Sequence, residues 1–441
     1  MPASKLCNPQ SRLAYISFDK VPAPKGAATH IAAFTRALAG AFGSVDLVTV
    51  STPWAARDKN RGQTNLSPTA GLHSTKHGFG QWTDPSVPDF CPGLAGEART
   101  ERWRGVFHTE LPGVGVSLID RVLSFRGSLE HWLAGRSFAG VQFRSIFEGL
   151  PLLRLRPRPR LIFEVNGLPS IELKYRYPRV ADDRGLTAKL AAQEQACLKA
   201  ADRIVTPSHV TARYLSCSRG VDTAKILVIP NGVDPELFHP APSPPEFGAE
   251  IPLLYFGTLT SWQGVDVAVR AAAQVGTSAR LTILGSASAR QTEPVAALAA
   301  KLGIAARVEI APPVQQTELL RVLHRSFAVL APLALNDRNL VQGCCPLKIL
   351  EGMAAGVPVI ASDLPVAREL GEHGKHFLLV KPNSVDQTAE AIRQLQGDPD
   401  LRRRLAANAR AHVVSAYTWE RSGAELATVW EELGIKRASN C

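Results

Sequence analysis

The sequence predicts an α/β protein made of two doubly wound domains that face a shared cleft. Three observations carry this. The 441 residues exceed what one core of about 150 residues organises, so two or three domains are expected. Short apolar runs alternate with helical patterns through both halves, the mark of a mostly parallel sheet covered by helices on both faces. Between the halves lies Pro240-Ala-Pro-Ser-Pro-Pro-Glu-Phe-Gly248, where four prolines in six residues hold neither a helix nor a central strand.

In the first half the apolar runs predict strands at Leu13–Phe18, Val45–Val50, Val141–Phe143, Leu161–Val165, Ile204–Thr206 and Ile226–Ile229. Helical periodicity places helices at 27–41, 116–133, 187–200 and 208–216. The stretch Thr52–Arg104, rich in Gly, Pro, Ser, Thr and Asp, reads as long surface loops. The second half predicts strands at Leu253–Phe256, Leu281–Leu284, Val308–Ala311, Ala328–Ala331, Val357–Ala361 and Phe377–Val380. The domains are therefore 1–240, a Pro-rich linker at 241–250, and 251–416, with 417–441 as a closing helical segment. Open α/β sheets bind ligands beyond the carboxyl ends of their strands, which makes the cleft the expected site.

Composition narrows the class. Hydrophobic residues at 45% and charged residues at 20% exclude disorder and collagen for the bulk of the chain. No run approaches the 18 or so apolar residues of a membrane span, and no leader pattern is seen. Seven cysteines, Cys7, Cys91, Cys197, Cys217, Cys344, Cys345 and Cys441, lie without C-x-x-C spacing, so a reducing cytoplasm is expected, with Cys344 and Cys345 as packing. Residues 1–240 hold 30 Lys and Arg against 20 Asp and Glu, whereas 241–441 hold 20 against 19. The first half therefore expects an anionic partner: a phosphorylated substrate, an acidic membrane surface or nucleic acid. Nucleic acid is the least expected, because basic and aromatic residues are not interleaved. Arg154, Arg156, Arg158 and Arg160 alternate along an extended segment, which suits either lipid phosphates or a solvated lead-in to the next strand.

Four segments carry more than architecture. Phe256-Gly257-Thr258-Leu259-Thr260-Ser261-Trp262-Gln263-Gly264 joins a strand to a helix, where glycine lets backbone N–H groups approach a phosphate; the same residues also make an ordinary turn. Pro346-Leu347-Lys348-Ile349-Leu350-Glu351-Gly352 opens a short helix, and Lys348 and Glu351, three apart, share a face. There a cation for a phosphate and a carboxylate for a sugar diol sit side by side, unless they form a surface ion pair. Ile229-Pro230-Asn231-Gly232-Val233-Asp234 is a strand running into a turn. Val21-Pro22-Ala23-Pro24-Lys25-Gly26-Ala27-Ala28-Thr29-His30 is a small-residue loop that admits an anion to the first helix.

In this order the four segments resemble the retaining nucleotide-sugar glycosyltransferases of family 4, which have the GT-B fold. The resemblance implies that the second half binds the nucleotide sugar and the first half the acceptor. It also implies that Tyr417–Leu433 crosses back to the first domain. Glu351 matches the glutamate on the donor ribose, Gly257 the glycine near the diphosphate, and Gly285 the glycine ending the next strand. Residues near Ala311–Val314 would flank the base, and Gly26 and Ala27 match the loop that approaches the donor phosphates. The implied chemistry is a front-face transfer in which the leaving phosphate takes the acceptor's proton, so no dedicated base is needed. The histidines show no metal-ligand spacing and there is no Asp-x-Asp pair, so neither metal nor other cofactor is expected beside the nucleotide sugar. A sugar, glycan or lipid-linked acceptor, with enzyme at the inner face of the membrane, completes the expectation. A nucleotide-sugar epimerase, a phosphorylase or a basic binding module are the alternatives.

Three departures from the family pattern bear on the site. Where many members place Arg and Lys against the diphosphate, this chain has Thr258 and Gln263, which makes Lys348, with Leu347 beside it and Arg338 nearby, the expected replacement. The family's usual paired glutamates lie eight positions apart, and the position eight before Glu351 is Gly343, so the first carboxylate of the pair is missing. The strand that often brings a histidine into the cleft ends at Glu164 and Asn166, and Asn166 is not a base near neutral pH. His30, Arg144, Glu164 and Asn166 are the expected acceptor residues, with Asn166, Lys348 and Glu351 nearest the chemistry.

Overall fold

The computed structural model describes residues 12–51, 100–178, 182–243, 245–286 and 288–438. The first sheet is built from β1 (Leu13–Ser17), β2 (Val45–Ser51), β3 (Thr100–Trp103), β4 (Val106–Pro112), β5 (Gly140–Phe143), β6 (Arg160–Glu164), β7 (Arg203–Thr206) and β8 (Ile226–Val228), in the order β3-β4-β2-β1-β5-β6-β7-β8. Its pairs are parallel except β3 with β4. The second sheet takes β9 (Ile251–Phe256), β10 (Ala279–Leu284), β11 (Val308–Ala311), β12 (Ala328–Ala331), β13 (Val359–Ser362) and β14 (Leu378–Val380), all parallel, in the order β11-β10-β9-β12-β13-β14.

Each sheet is sealed on both faces by apolar cores, which is why its central strands read as continuous apolar runs rather than alternating ones. The crossing helix Trp419–Glu432 belongs to the first domain's core through Leu426, Ala427, Val429 and Trp430. Two glycine positions make room for it. A Cβ on Gly140 would lie 2.3 Å from the Trp430 ring, and one on Gly232 would lie 2.3 Å from the Thr418 carbonyl carbon. Val233 pairs with Thr418, donating to the Tyr417 carbonyl at 2.9 Å and accepting from Trp419 N–H at 3.2 Å. The Asn-Gly turn is thus the place where the chain's two passages between domains are stitched together.

The structure corrects the reading of 52–104 at its end. Residues 52–99 lie outside the described residues, but Thr100–Trp103 is a strand, and β4 after it was missed. β3 is an edge strand exposed along nearly its whole length, so it shows no apolar alternation. β4 carries His108, Thr109 and Glu110, and His108 is satisfied internally, 2.7 Å from the Thr49 hydroxyl. The helices Ile146–Leu152 and Pro169–Arg176 were also missed, both with proline or glycine inside or at the start. The expected 116–133 helix begins at Leu118, where Ser117 and Asp120 form a reciprocal capping box.

Candidate active site

A cavity of about 1040 Å³ opens between the sheets and is lined from both domains. On the second-domain wall, Pro346 precedes the helix Leu347–Ala354, whose first turns point Lys348 and Glu351 inward, each only 7% exposed. Lys348 Nζ donates to Gln263 Oε1 at 2.7 Å and lies 4.1 Å from the Tyr255 ring centroid. Gly257, at φ +126, passes beneath it, so that a Cβ there would be 3.5 Å from Nζ. Burial, with no carboxylate partner among the described residues, pulls the Lys348 ammonium down to about 7. Burial likewise pushes Glu351 up to about 8, opposed by a hydrogen bond from the Gln316 side chain. Burial thus draws both groups toward their neutral forms, and an anion beside Lys348 or hydrogen-bond donors to Glu351 would draw them back.

The expected neighbours take their places around it. Gly285 allows Leu259 to fold over β10, since a Cβ there would lie 2.5 Å from a Leu259 methyl. The Thr258 carbonyl accepts from Tyr255 Oη at 2.8 Å, and Val314 lines the cavity near Glu351. From the first domain, the helix Gly26–Phe42 aims an N-terminus with no side-chain cap at the cavity, and a Cβ on Gly26 would stand 3.0 Å from Leu347 Cδ1. Gly26 and Ala27 therefore offer backbone N–H groups toward the start of the Leu347–Ala354 helix. Arg338 lines the cavity as expected and also has a second task. Its Nε and Nη2 are 3.1 Å from Glu172 Oε1 and its Nη1 is 3.3 Å from the Gly343 carbonyl, so it ties the two domains together.

Gly343 itself has no room for a side chain. At φ +80, a Cβ would meet Ser208 Oγ at 2.7 Å and Thr211 Oγ1 at 2.8 Å, both from the first domain. The helix His209–Arg219 starts here, and Glu369 of the second domain accepts its His209 and Val210 N–H groups at 3.0 and 2.9 Å. Gln342 adds bonds to Leu168 N–H at 2.9 Å and Glu172 at 2.8 Å, and Asp337 accepts from Lys174 and Tyr175.

The first-domain wall is organised by Glu164, which is only 1% exposed. Its oxygens receive Tyr15 Oη and Gln142 Nε2 at 2.6 Å each, Arg144 Nε at 2.9 Å and the Asn166 amide, and His30 Nε2 lies 2.8 Å from it. Burial opposes the charge, but His30, Arg144 and the hydrogen bonds outweigh it and hold the carboxyl far below the usual range. Glu164 is thus spent on its neighbours, while Arg144, Asn166 and His30 line the cavity. Asp19, which sequence reasoning missed, accepts from Arg144 Nη1 at 2.9 Å and Lys25 Nζ at 3.0 Å and keeps a side chain 31% exposed toward the cleft. Its signal was present: a carboxylate just past β1, six residues from Lys25. Glu148 was also missed; burial pushes it up to about 8, and its Oε2 has no partner among the described residues.

The arginine stripe is largely engaged in local structure. Arg154 pairs with Glu130 at 3.0 Å, Arg156 donates to the Leu155 carbonyl at 2.7 Å, and Arg160 pairs with Asp202 at 3.3 Å. No helix among the described residues is long and apolar enough to cross a membrane. Cys197, Cys217, Cys344 and Cys345 are free thiols.

Two parallel-sheet domains, a cleft entered by helix N-termini from both sides and a C-terminal helix returned to the first domain define the GT-B class. Residues 86–237 match the model Glycosyltransferase Family 4, and residues 242–412 match Glycosyl transferases group 1. The D-inositol 3-phosphate glycosyltransferase of Actinosynnema mirum is 30% identical over 368 residues, 77% of this chain and 82% of that one. The chain belongs to glycosyltransferase family 4. The D-inositol 3-phosphate glycosyltransferase of Acidothermus cellulolyticus is 33% identical over 237 residues, 50% of this chain. The match spans about half of that relative's length, 51%. Among solved structures, sucrose-phosphate synthase from Thermosynechococcus elongatus superposes with a TM-score of 0.74 at 19% identity, covering 96% of this chain and 99% of that one. Anabaena HepE, in complex with UDP and glucose, gives 0.67 at 14%, covering 96% and 100%. At such identities the likeness speaks for the fold.

The depressed Lys348 ammonium gives a testable coupling. A diphosphate favours the charged form, so binding takes up a proton once the pH exceeds about 7. Calorimetry in buffers of different ionisation enthalpy, comparing wild type with Lys348→Met, is expected to show uptake in the wild type that is largest between about pH 7 and 8.5 and missing from the variant. The difference between the two proteins separates Lys348 from Glu351. Equal proton exchange in both contradicts the assignment of the phosphate to Lys348.

Proposed function

We propose that the protein transfers a sugar from a nucleotide-sugar donor to an acceptor hydroxyl, with retention and without a metal ion. The observation that supports this best is the convergence of Lys348, Glu351, Gly257 and the uncapped helix start at Gly26 on one interdomain cavity. In this reading Glu351 accepts the ribose hydroxyls, and Lys348 with the two helix starts holds the diphosphate. The anomeric C–O bond to the diphosphate breaks and the bond to the acceptor oxygen forms on the same face. The acceptor's proton passes to the departing phosphate oxygen. Charge builds on the diphosphate, so Lys348 and the N–H groups stabilise the transition state more than the ground state.

The acceptor binds along Asp19, Arg144 and Asn166. Because the first half carries the chain's excess cations and the curated relatives are named for D-inositol 3-phosphate, an anionic or membrane-held polyol or glycan is the acceptor class we favour. A thermal-shift screen of nucleoside diphosphates and nucleotide sugars tests the donor half; a ligand at about 100 times its Kd stabilises by roughly 2.7 kcal/mol. Nucleotide release is then followed with free sugars, phosphorylated polyols and lipid-linked glycans in acidic vesicles. Release that requires an acceptor is expected. Turnover of the nucleotide sugar with no acceptor present points to an epimerase, and transfer to inorganic phosphate to a phosphorylase.

A further inference from the structure

Asn231 is 8% exposed and makes two bonds that face in opposite directions. Its Nδ2 donates to the Cys345 carbonyl at 2.7 Å, across the domain boundary, and its Oδ1 is 2.7 Å from His30 Nδ1. A carbonyl only accepts, so the amide orientation is fixed, and Oδ1 then takes the proton that His30 carries on Nδ1. Cys345 is the residue before Pro346, so the Cys345 carbonyl orients the peptide that leads into the helix of Lys348 and Glu351. On the other side, the His30 ring touches Glu164, which holds Arg144 and Asn166. Gly232, the next residue, is pinned against Thr418 and Trp419.

We infer that Asn231 is a positioning residue that keeps the acceptor wall and the donor helix in register during transfer. Asn231 borders the cavity, and in this reading, which rests on the glycosyl-transfer function proposed above, it acts through His30 and Cys345 rather than on either substrate. The other interdomain bonds described above, from Glu172, Asp337, Gln342 and Glu369, hold different elements together and do not include the Cys345 carbonyl. Asn231 is the link that joins the helix carrying the leaving-group contacts to the side chains that face the acceptor. Since misplacing reacting groups by about an ångström costs on the order of a hundredfold, a single lost tether of this kind reads out in rate rather than in nucleotide affinity.

The variants are Asn231→Ala, Asn231→Asp and His30→Phe. Asn231→Asp keeps an acceptor toward His30 but sets a carboxylate against the Cys345 carbonyl, so it removes one arm. With the nucleotide sugar turned over fastest in a panel containing UDP-glucose, kcat is expected to fall at least about tenfold in Asn231→Ala and Asn231→Asp, with Kd for UDP within about threefold. Because both arms belong to one chain of bonds, Asn231→Ala and His30→Phe together are expected to cost less than the product of their separate effects. Hydrogen exchange supplies a readout that needs no turnover: Asn231→Ala is expected to expose the amides of 345–351 and leave those of His209 and Val210 protected. A folded Asn231→Ala enzyme with wild-type kcat overturns the proposal, as does a loss of UDP affinity as large as the loss of rate. If no nucleotide sugar is turned over, the proposed function fails, and unchanged exchange at 345–351 then decides against the tether separately.

Discussion

Glu351→Ala is expected to abolish most sugar transfer and to weaken free nucleoside diphosphate binding by about 1.5–3 kcal/mol, the range for a hydrogen bond to a charged group. Isothermal titration with UDP, GDP and ADP checks this, and unchanged affinity for whichever binds wild type sinks the ribose assignment. The same residue predicts a pH effect on folding. Burial raises its folded pKa to about 8 from 4.5, so its contribution is complete below about pH 4.5 and is lost as the pH rises toward 8, where the unfolded chain ionises and the folded one does not. Glu351→Gln is therefore expected to flatten the fall in stability across that window. Burial disfavours the charged forms of both Glu351 and Lys348, and a ligand that supplies hydrogen-bond donors to the one and an anion to the other is expected to favour them.

Glu164→Ala is expected to be the most destabilising single change on the acceptor wall. It takes from Arg144 the more buried of its two carboxylate partners, Asp19 being the other, and removes the acceptor of Tyr15, Gln142 and Asn166 together. Breaking a buried ion pair by deleting one partner costs about 3–5 kcal/mol. Urea unfolding near neutral pH measures this, and a loss below about 1 kcal/mol contradicts the picture of a carboxylate that organises the wall. The pH dependence has the opposite sign to that of Glu351. The folded pKa of Glu164 lies below its unfolded value of 4.5, so its stabilisation is present above about pH 4.5 and is lost as the pH falls below it. The alanine variant is expected to show a shallower acid limb than wild type.

These two carboxylates also show what the sequence displayed and what it hid. The central strands of both sheets were legible because burial on both faces writes them as unbroken apolar runs, and Lys348 and Glu351 because three residues on a short helix put both on one side. β3 and β4 were not, since an edge strand and its neighbour carry Thr100, Glu101, Arg102, His108 and Glu110, and polarity at a sheet edge looks like loop. Glu164 was placed at the acceptor wall, but its role was invisible: its partners come from β1, β5 and the first helix, up to 149 positions away. Gly343 could be seen as a missing carboxylate but not as a position filled by Ser208 and Thr211. Asn231 read as a turn because its two partners, His30 and Cys345, lie 201 and 114 residues from it.

The return of Trp419–Glu432 to the first sheet means that the boundary between domains in space is not a single boundary in sequence. A graft that exchanges donor specificity with a relative by cutting only in the proline-rich stretch would bring in a foreign crossing helix, and Gly140, Gly232 and Ala37 would face side chains they were not shaped for. Such a chimera has to be cut twice, once near 241–250 and again between Ala416 and Trp419. The stretch from 419 to about 435 then stays with the first domain it packs against. The second domain is thus an internal insert, flanked on both sides by chain that belongs to the other domain.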